Sequence, residues 1–337
     1  MMHGYEQLPQ LNNLLSIDDD VTDEHHGYPP FSRPMDVLLD YGLIALDKPA
    51  GPTSHEVVAW VKRMLGVESA GHSGTLDPPT TGLLPIGVGE ATKALTVLLL
   101  GPKEYYAIAR LHASVPSSTL HDTMRMFIGD IYQRPPQRSS VKREVRIRRI
   151  YELELVEEHG RLLLLRVLCQ AGTYVRKLIY DIGEVLGSGA SMVELRRTRV
   201  SMLDEDDMVR LHDLYDAYML WREEGREERL RSMIKPVEYA LQHVKAVVVR
   251  DSTVDSLCHG AQLAVPGVLR VSRDLRRGDL VGVYTLKGEL VALAEAVMSA
   301  QEIAEADRGI AFTLKRVIMR PNTYPRAWKS KGKSKEE

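Results

Sequence analysis

Two cysteines, three phenylalanines and three tryptophans are all that this 337-residue chain holds of those types. Cys169 and Cys258 lie far apart with no second cysteine near either, so neither a disulfide framework nor a metal cluster has support. Both are expected to be small buried apolar side chains in a reducing cytosol, which makes a cytoplasmic location the expectation. His112 and His121 have no carboxylate or cysteine constellation at metal-ligand spacing. No metal and no organic cofactor are expected. Long apolar runs are missing too, since nothing approaches the ~20 residues that a bilayer span requires. The first thirty residues are polar and acidic (Asp18-Asp-Asp, then Asp23-Glu24), unlike a secretory signal. Gly87-Val-Gly-Glu-Ala-Thr-Lys93 is glycine-rich but lacks the G-x-x-x-x-G-K-S/T spacing of a phosphate loop. With Phe and Trp so scarce, any stacking on bases would fall to the fourteen tyrosines.

Net charge is nearly absent at −2, which by itself argues against a polyanionic partner. Its distribution argues the other way. Seven basic residues fall between Arg134 and Arg149 (134, 138, 142, 143, 146, 148 and 149) against the single acid Glu144. Arg196, Arg197 and Arg199 form a second cluster, and Lys315, Arg316, Arg320, Arg326 and Lys329 lead into a lysine-rich tail. Acids collect elsewhere, at 18–24, 204–207 and 223–228. Such segregation suits a polyanion on one face. For 223–228, helical alternation of Glu and Arg is explanation enough.

Residues 1–34 lack a clear period and read as an extension that is disordered or wraps another surface. Apolar positions Val57, Val58, Trp60, Val61, Met64 and Leu65 predict a helix over 54–65, with Ser54 as its cap. Alternation predicts a strand over 105–111 and a hairpin of 151–157 with 162–168 around His159-Gly160. A helix is expected over 175–186, ending at Gly187, and an interrupted helical segment over 206–241. Short strands are expected at 247–250, 277–284 and 290–294. The fold class is therefore α+β, on a mixed or antiparallel sheet rather than repeated βαβ units, followed by a small all-β module.

The most informative stretch is Gly71-His-Ser-Gly-Thr-Leu-Asp-Pro78. Glycines let the backbone turn, Pro78 stiffens it, and Asp77 stands on a hydrophobic loop where an enzyme could present a nucleophile or base. An Asx-turn before proline would use the same residues. The wider pattern separates these readings. Leu46-Asp-Lys-Pro-Ala-Gly-Pro-Thr-Ser54, the Gly71–Lys93 stretch, Lys103-Glu-Tyr-Tyr106, Gly172-Thr-Tyr-Val-Arg176 and Glu194-Leu-Arg-Arg197 resemble, in order and spacing, the motifs of the TruB/dyskerin family of RNA pseudouridine synthases. Residues 245–320 resemble a PUA RNA-binding module, with Ala294 where that pattern often has glycine.

The resemblance implies an isomerase that flips a uridine out of RNA, breaks its glycosidic bond, turns the base and rejoins it through carbon. Asp77 would be the nucleophile, or the base acting on the sugar, ionised despite a dry pocket. Arg176 would pair with it in bidentate fashion. Tyr105 would face the uracil, with Tyr106 on the opposite face of the strand. Tyr174 and Leu195 match pocket positions that contact the base, and His72 matches a loop histidine that stacks near the displaced nucleotide. Arg138, Lys142, Arg143 and Arg146 fall in a segment that corresponds to a basic thumb over substrate RNA. The implied organisation is an extension (1–34), a catalytic domain (35–243), a PUA domain (244–321) and a basic tail (322–337).

Arg134-Pro-Pro-Gln-Arg-Ser-Ser-Val-Lys-Arg143, Leu211-His-Asp-Leu-Tyr-Asp-Ala217, Pro236-Val-Glu-Tyr-Ala240 and Tyr324-Pro-Arg-Ala-Trp328 look like the archaeal dyskerin-type subunit of box H/ACA ribonucleoproteins. That implies as partners a substrate RNA (ribosomal or transfer), a box H/ACA guide RNA, and small Gar-, Nop- and kink-turn-binding ribosomal-type subunits, with no membrane. A stand-alone synthase for the TΨC loop of transfer RNA and a non-catalytic RNA scaffold are the competing readings. An intact Asp77, Tyr105 and Arg176 set disfavours the scaffold.

Overall fold

The structure, a computed structural model, describes residues 7–134 and 144–326. The extension contributes β1 (Leu14–Ser16). Then come α1 (Met35–Asp40), β2 (Gly42–Lys48), α2 (Ser54–Leu65), β3 (Ala70–His72) and β4 (Thr81–Val88). These are followed by α3 (Thr96–Leu100), β5 (Lys103–Leu111), α4 (Ser117–Met126), β6 (Gly129–Gln133) and β7 (Arg146–His159). Next are β8 (Leu162–Cys169), α5 (Val175–Leu186), β9 (Ala190–Val200), α6 (Leu211–Glu224), α7 (Glu228–Met233) and β10 (Lys235–Pro236). The last group is β11 (Lys245–Val249), α8 (Asp251–Cys258), β12 (Leu263–Ala264) and β13 (Val268–Ser272). It closes with β14 (Leu280–Tyr284), β15 (Leu290–Ala296), α9 (Ala300–Glu305) and β16 (Ile310–Val317).

Among the described residues nine strands form one sheet in the order β10-β2-β4-β9-β5-β8-β7-β6, with β3 paired to β4 beside it. The β4–β9 contact is parallel and the other described strand pairs of this sheet are antiparallel, so long hairpins rather than βαβ crossovers build it. The expected hairpin is present but longer, since β7 and β8 run to His159 and from Leu162. The helix expected over 175–186 has those bounds, closed by Gly187 in the left-handed region (φ 69°). The helix over 54–65 also forms, but its cap is Thr53, which shares a capping box with Glu56. Ser54 is buried and serves the neighbouring loop instead.

Among the described residues seven strands form the second sheet, β1-β13-β11-β14-β15-β16-β12. Its outer member comes from the extension: Leu14, Leu15 and Ser16 pair with Ser272, Val271 and Arg270. The extension therefore wraps a surface rather than lying free. Asp18 and Asp20 pair with Arg250, and Lys287 donates to the carbonyls of Asp23 and His26. One hydrophobic core spans extension, first sheet and second sheet, taking in Leu8, Leu11, Leu43, Leu83, Ala246, Tyr284 and Leu290. No helix among the described residues is long and apolar enough to cross a membrane.

The strand contact that seats the candidate site has no room for a side chain. Gly82, the second residue of β4, has φ 98°, and a Cβ there would lie 2.2 Å from the Arg197 carbonyl of β9. Gly82→Ala must strain the backbone and part the two strands, costing at least about 2 kcal/mol. Urea unfolding should show a lower midpoint. An unchanged midpoint would mean that the β4–β9 contact is looser than described.

Candidate active site

The Gly71–Pro78 loop enters β4 from below and is fastened from three sides. Lys48, the fully buried last residue of β2, donates to the carbonyls of Pro49 (2.9 Å), Pro78 (3.0 Å) and Thr80 (3.0 Å). Ser54 accepts from the Leu76 N–H at 2.9 Å and donates to the Leu76 carbonyl at 3.1 Å. Arg197, also fully buried, donates to the carbonyls of Leu83 (2.7 Å) and Gly74 (3.0 Å). Leu76 plugs into the core while Asp77, next in line, faces out. Each fastening uses backbone or apolar groups and leaves the Asp77 carboxylate free for chemistry.

That carboxylate meets Arg176, whose Nη2 donates to Asp77 Oδ2 at 2.7 Å. Arg176 lies in the first turn of α5, 99 residues further along. The Asx-turn does not occupy the carboxylate; the local turn is the backbone bond from Thr80 N–H to the Asp77 carbonyl. Two expectations need correction. The pair is joined by one hydrogen bond rather than a bidentate fork, and it is open to water. The Arg176 and Asp77 side chains are 56% and 57% exposed. In the free chain the pair is open to water, so a dry pocket would require bound RNA to cover it.

Tyr105 sits on β5 just after a bulge, opposite Arg197 on β9 and Val167 on β8. Burial pushes its hydroxyl pKa up; the Arg197 guanidinium opposes this, and the Asp77 carboxylate adds to it. Tyr106 points to the other face, against Arg166 and Arg196. Leu195 stands opposite Ala107, on the same face as Tyr105 and diagonal to it, and both pack on one apolar cluster. Tyr174 is the residue before α5, and its backbone is held by Gln133.

His72 ends β3 opposite Ile86. Its ring lies 5.0 Å from that of His55, and neither shielded ring nitrogen has a hydrogen-bond partner. Burial lowers its pKa, with His55 and Arg197 adding to the effect. Among the described residues no group of three potential metal ligands comes together.

The basic clusters behave differently from the sequence reading. Arg196 pairs with Asp47 at 2.9 Å and Glu205 at 3.0 Å, Arg199 with Glu104 at 2.7 Å, and Arg197 is internal. Arg196 and Arg199 are thus paired within the fold while their side chains remain 37% and 38% exposed. Lys315, Arg320 and Arg326 likewise bind Glu295, Asp40 and Asp255. Arg138, Lys142 and Arg143 lie outside the described residues. Arg146 opens β7 opposite Gln133 and is partly exposed.

Lys48, Ser54, Gln133 and Arg197 are the residues for which the sequence reading found no positioning role. Lys48, Ser54 and Arg197 lie inside motifs already noticed, which was the available signal. Gln133 had none.

Profiles of known families match the chain in succession. A DKCLD (NUC011) domain covers residues 6–58, and the N-terminal domain of TruB family pseudouridylate synthases covers 62–175. The C-terminal domain of tRNA pseudouridylate synthase B covers 176–242, and a PUA domain 245–318. The "probable tRNA pseudouridine synthase B" of Methanopyrus kandleri is 53% identical over 307 residues, 91% of each chain. That of Methanocaldococcus jannaschii is 49% identical over 326 residues, 97% of each chain.

A solved chain from an H/ACA RNP bound to a substrate RNA containing 2'-deoxyuridine is 44% identical, with a TM-score of 0.87 over 95% of this chain and 99% of that one. A chain of a Cbf5–Nop10–Gar1 complex is 46% identical, again with a TM-score of 0.87, over 95% and 98%. Fold and likeness together define an isomerase that makes pseudouridine in RNA and carries a PUA module. The chain belongs to the TruB/dyskerin family of RNA pseudouridine synthases.

Proposed function

We propose that this chain is the catalytic subunit of a guide-directed pseudouridine synthase, with Asp77 at the reacting centre. The observation that carries the reading is the Asp77–Arg176 contact at 2.7 Å, open to water, on a loop held by Lys48, Ser54 and Arg197. Isomerisation breaks the bond between N1 and the sugar C1′ and makes one from C5 to C1′. The C5 hydrogen leaves as a proton and N1 gains one, so no electrons are exchanged. Asp77 either attacks the sugar or takes its C2′ proton. Arg176 steadies the carboxylate, Tyr105 stacks on the uracil and exchanges a proton, and His72, Tyr174 and Leu195 hold the turned base.

Guide dependence is supported by likeness over nearly the whole chain to structures from H/ACA particles. The partners proposed are a guide RNA, Nop- and Gar-type subunits, and a kink-turn-binding subunit, with ribosomal RNA as a target in a cytoplasmic setting. A second reading, action on transfer RNA without a guide, is favoured by the relatives described as tRNA pseudouridine synthase B. Mass-spectrometric mapping of pseudouridine in ribosomal and transfer RNA, with and without guide RNA, separates the two. Guide-independent modification confined to the TΨC loop would overturn the guided reading.

Because the Asp77 contact is single and solvated, the charge of Arg176 is what the site uses. Arg176→Met keeps most of the stem and removes the cation. Single-turnover pseudouridine formation should fall about 10²-fold, in the range expected when one oriented polar group is lost. A rate within twofold of the parent would place Arg176 outside the reaction.

A further inference from the structure

The hairpin β6–β7 grips the start of the helix that carries Arg176. Gln133, the last residue of β6, is 1% exposed. Its Oε1 accepts from the Tyr174 N–H at 2.9 Å and its Nε2 donates to the Tyr174 carbonyl at 3.1 Å. The primary amide thus binds one backbone residue through both ends, as a neighbouring strand would. Tyr174 is the N-cap of α5, its side chain makes no capping bond, and Arg176 follows two residues later.

Two further contacts fasten the same loop. Gln170 Oε1 accepts from the Arg149 N–H at 3.1 Å, and the Gln170 N–H donates to the Arg149 carbonyl at 2.8 Å. The Arg148 guanidinium packs over Gly172, where a Cβ would meet its Nε at 3.2 Å. Nothing in the reaction calls for a buried glutamine at the root of a hairpin. Its geometry serves the register of α5, and a displacement of about 1 Å at a reacting group can cost ~10²-fold in rate.

We propose that Gln133 is a positioning residue that sets the start of α5 and thereby aligns Arg176 on Asp77, coupling the β6–β7 hairpin to the reacting centre. This rests on the reading of Asp77 and Arg176 given above. A shift of the hairpin root is passed to Tyr174 through two hydrogen bonds, and from there along one helical turn to the guanidinium. Leverage on the hairpin is leverage on the ion pair.

The test is single-turnover pseudouridine formation at saturating RNA on the full chain. Gln133→Ala, which removes both bonds, and Gln133→Glu, which sets an oxygen against the Tyr174 carbonyl, should each slow it about tenfold or more. RNA affinity should stay within about twofold. In an Arg176→Met background, Gln133→Ala should cost clearly less than it does in the parent, because the part of its effect that passes through Arg176 is already lost. A general loss of structure would instead multiply with it. Gln133→Asn, which keeps both groups on a shorter stem, serves if the alanine variant does not fold. A normal rate in the folded variants, or a full further loss on top of Arg176→Met, overturns the proposal. An active parent and an inactive Asp77→Asn control show separately that the underlying reading holds.

Discussion

Asp77→Asn is expected to abolish pseudouridine formation, a loss of about 10³-fold or more, with RNA affinity unchanged within about twofold. The substitution keeps the volume and removes the charge, so it can neither attack the sugar nor take its proton. The surroundings say the variant will fold. Lys48, Ser54 and Arg197 fasten the loop through the carbonyls of Pro78, Thr80, Leu76 and Gly74, and the Asp77 carboxylate joins none of these bonds. Arg176 loses its anion but is 56% exposed, and water can replace it. Unfolding midpoints should therefore nearly coincide. Pseudouridine formation near the parent's rate by a folded Asn variant would sink the assignment of Asp77.

What could be seen in advance follows a physical pattern. Elements defined by local signals were legible: α5 has apolar spacing and a glycine stop, and in β7 Glu152 and Glu154 alternate with Leu153 and Leu155. The motifs carrying Asp77, Tyr105 and Arg176 could be found because each is a short, ordered string. Interactions joining distant residues could not. Arg196, Arg197 and Arg199 looked like a surface for a polyanion because their partners are remote; Asp47 is 149 residues from Arg196. Ser54 looked like a cap because Ser before a helical stretch usually is one, yet Thr53 beside it fits the box and Ser54 is drawn to Leu76. The exposure of the Asp77–Arg176 pair could not be read either, since it depends on how the sheet and α5 meet.

The extension is the largest such case, and it leads to a stability prediction. Arg33 and Glu238 form a buried ion pair with side chains 3% and 0% exposed. Nη1 donates to Oε2 at 2.9 Å and Nη2 to Oε1 at 2.7 Å. Glu238 Oε1 also accepts from the Leu290 N–H at 2.8 Å, and the Arg33 guanidinium lies 5.0 Å from the Tyr41 ring centre. Burial works against the Arg33 charge, and Glu238 outweighs it, so the guanidinium pKa ends above its ordinary value. Extension, first sheet and second sheet thus meet at one carboxylate.

Arg33→Ala leaves Glu238 buried and without its cation, and should cost about 3–5 kcal/mol. The check is the shift in denaturant midpoint at constant m-value. Replacing both partners by apolar residues of similar size, Arg33→Met with Glu238→Leu, should restore much of that stability, because the penalty lies in the orphaned charge. Some loss would remain, because Leu290 N–H would lose its acceptor. If Arg33→Ala costs under about 1 kcal/mol, water reaches Glu238 and the three parts are not locked together there. If the double variant is as unstable as the single one, the ion pair contributes net stability of its own rather than avoiding a cost.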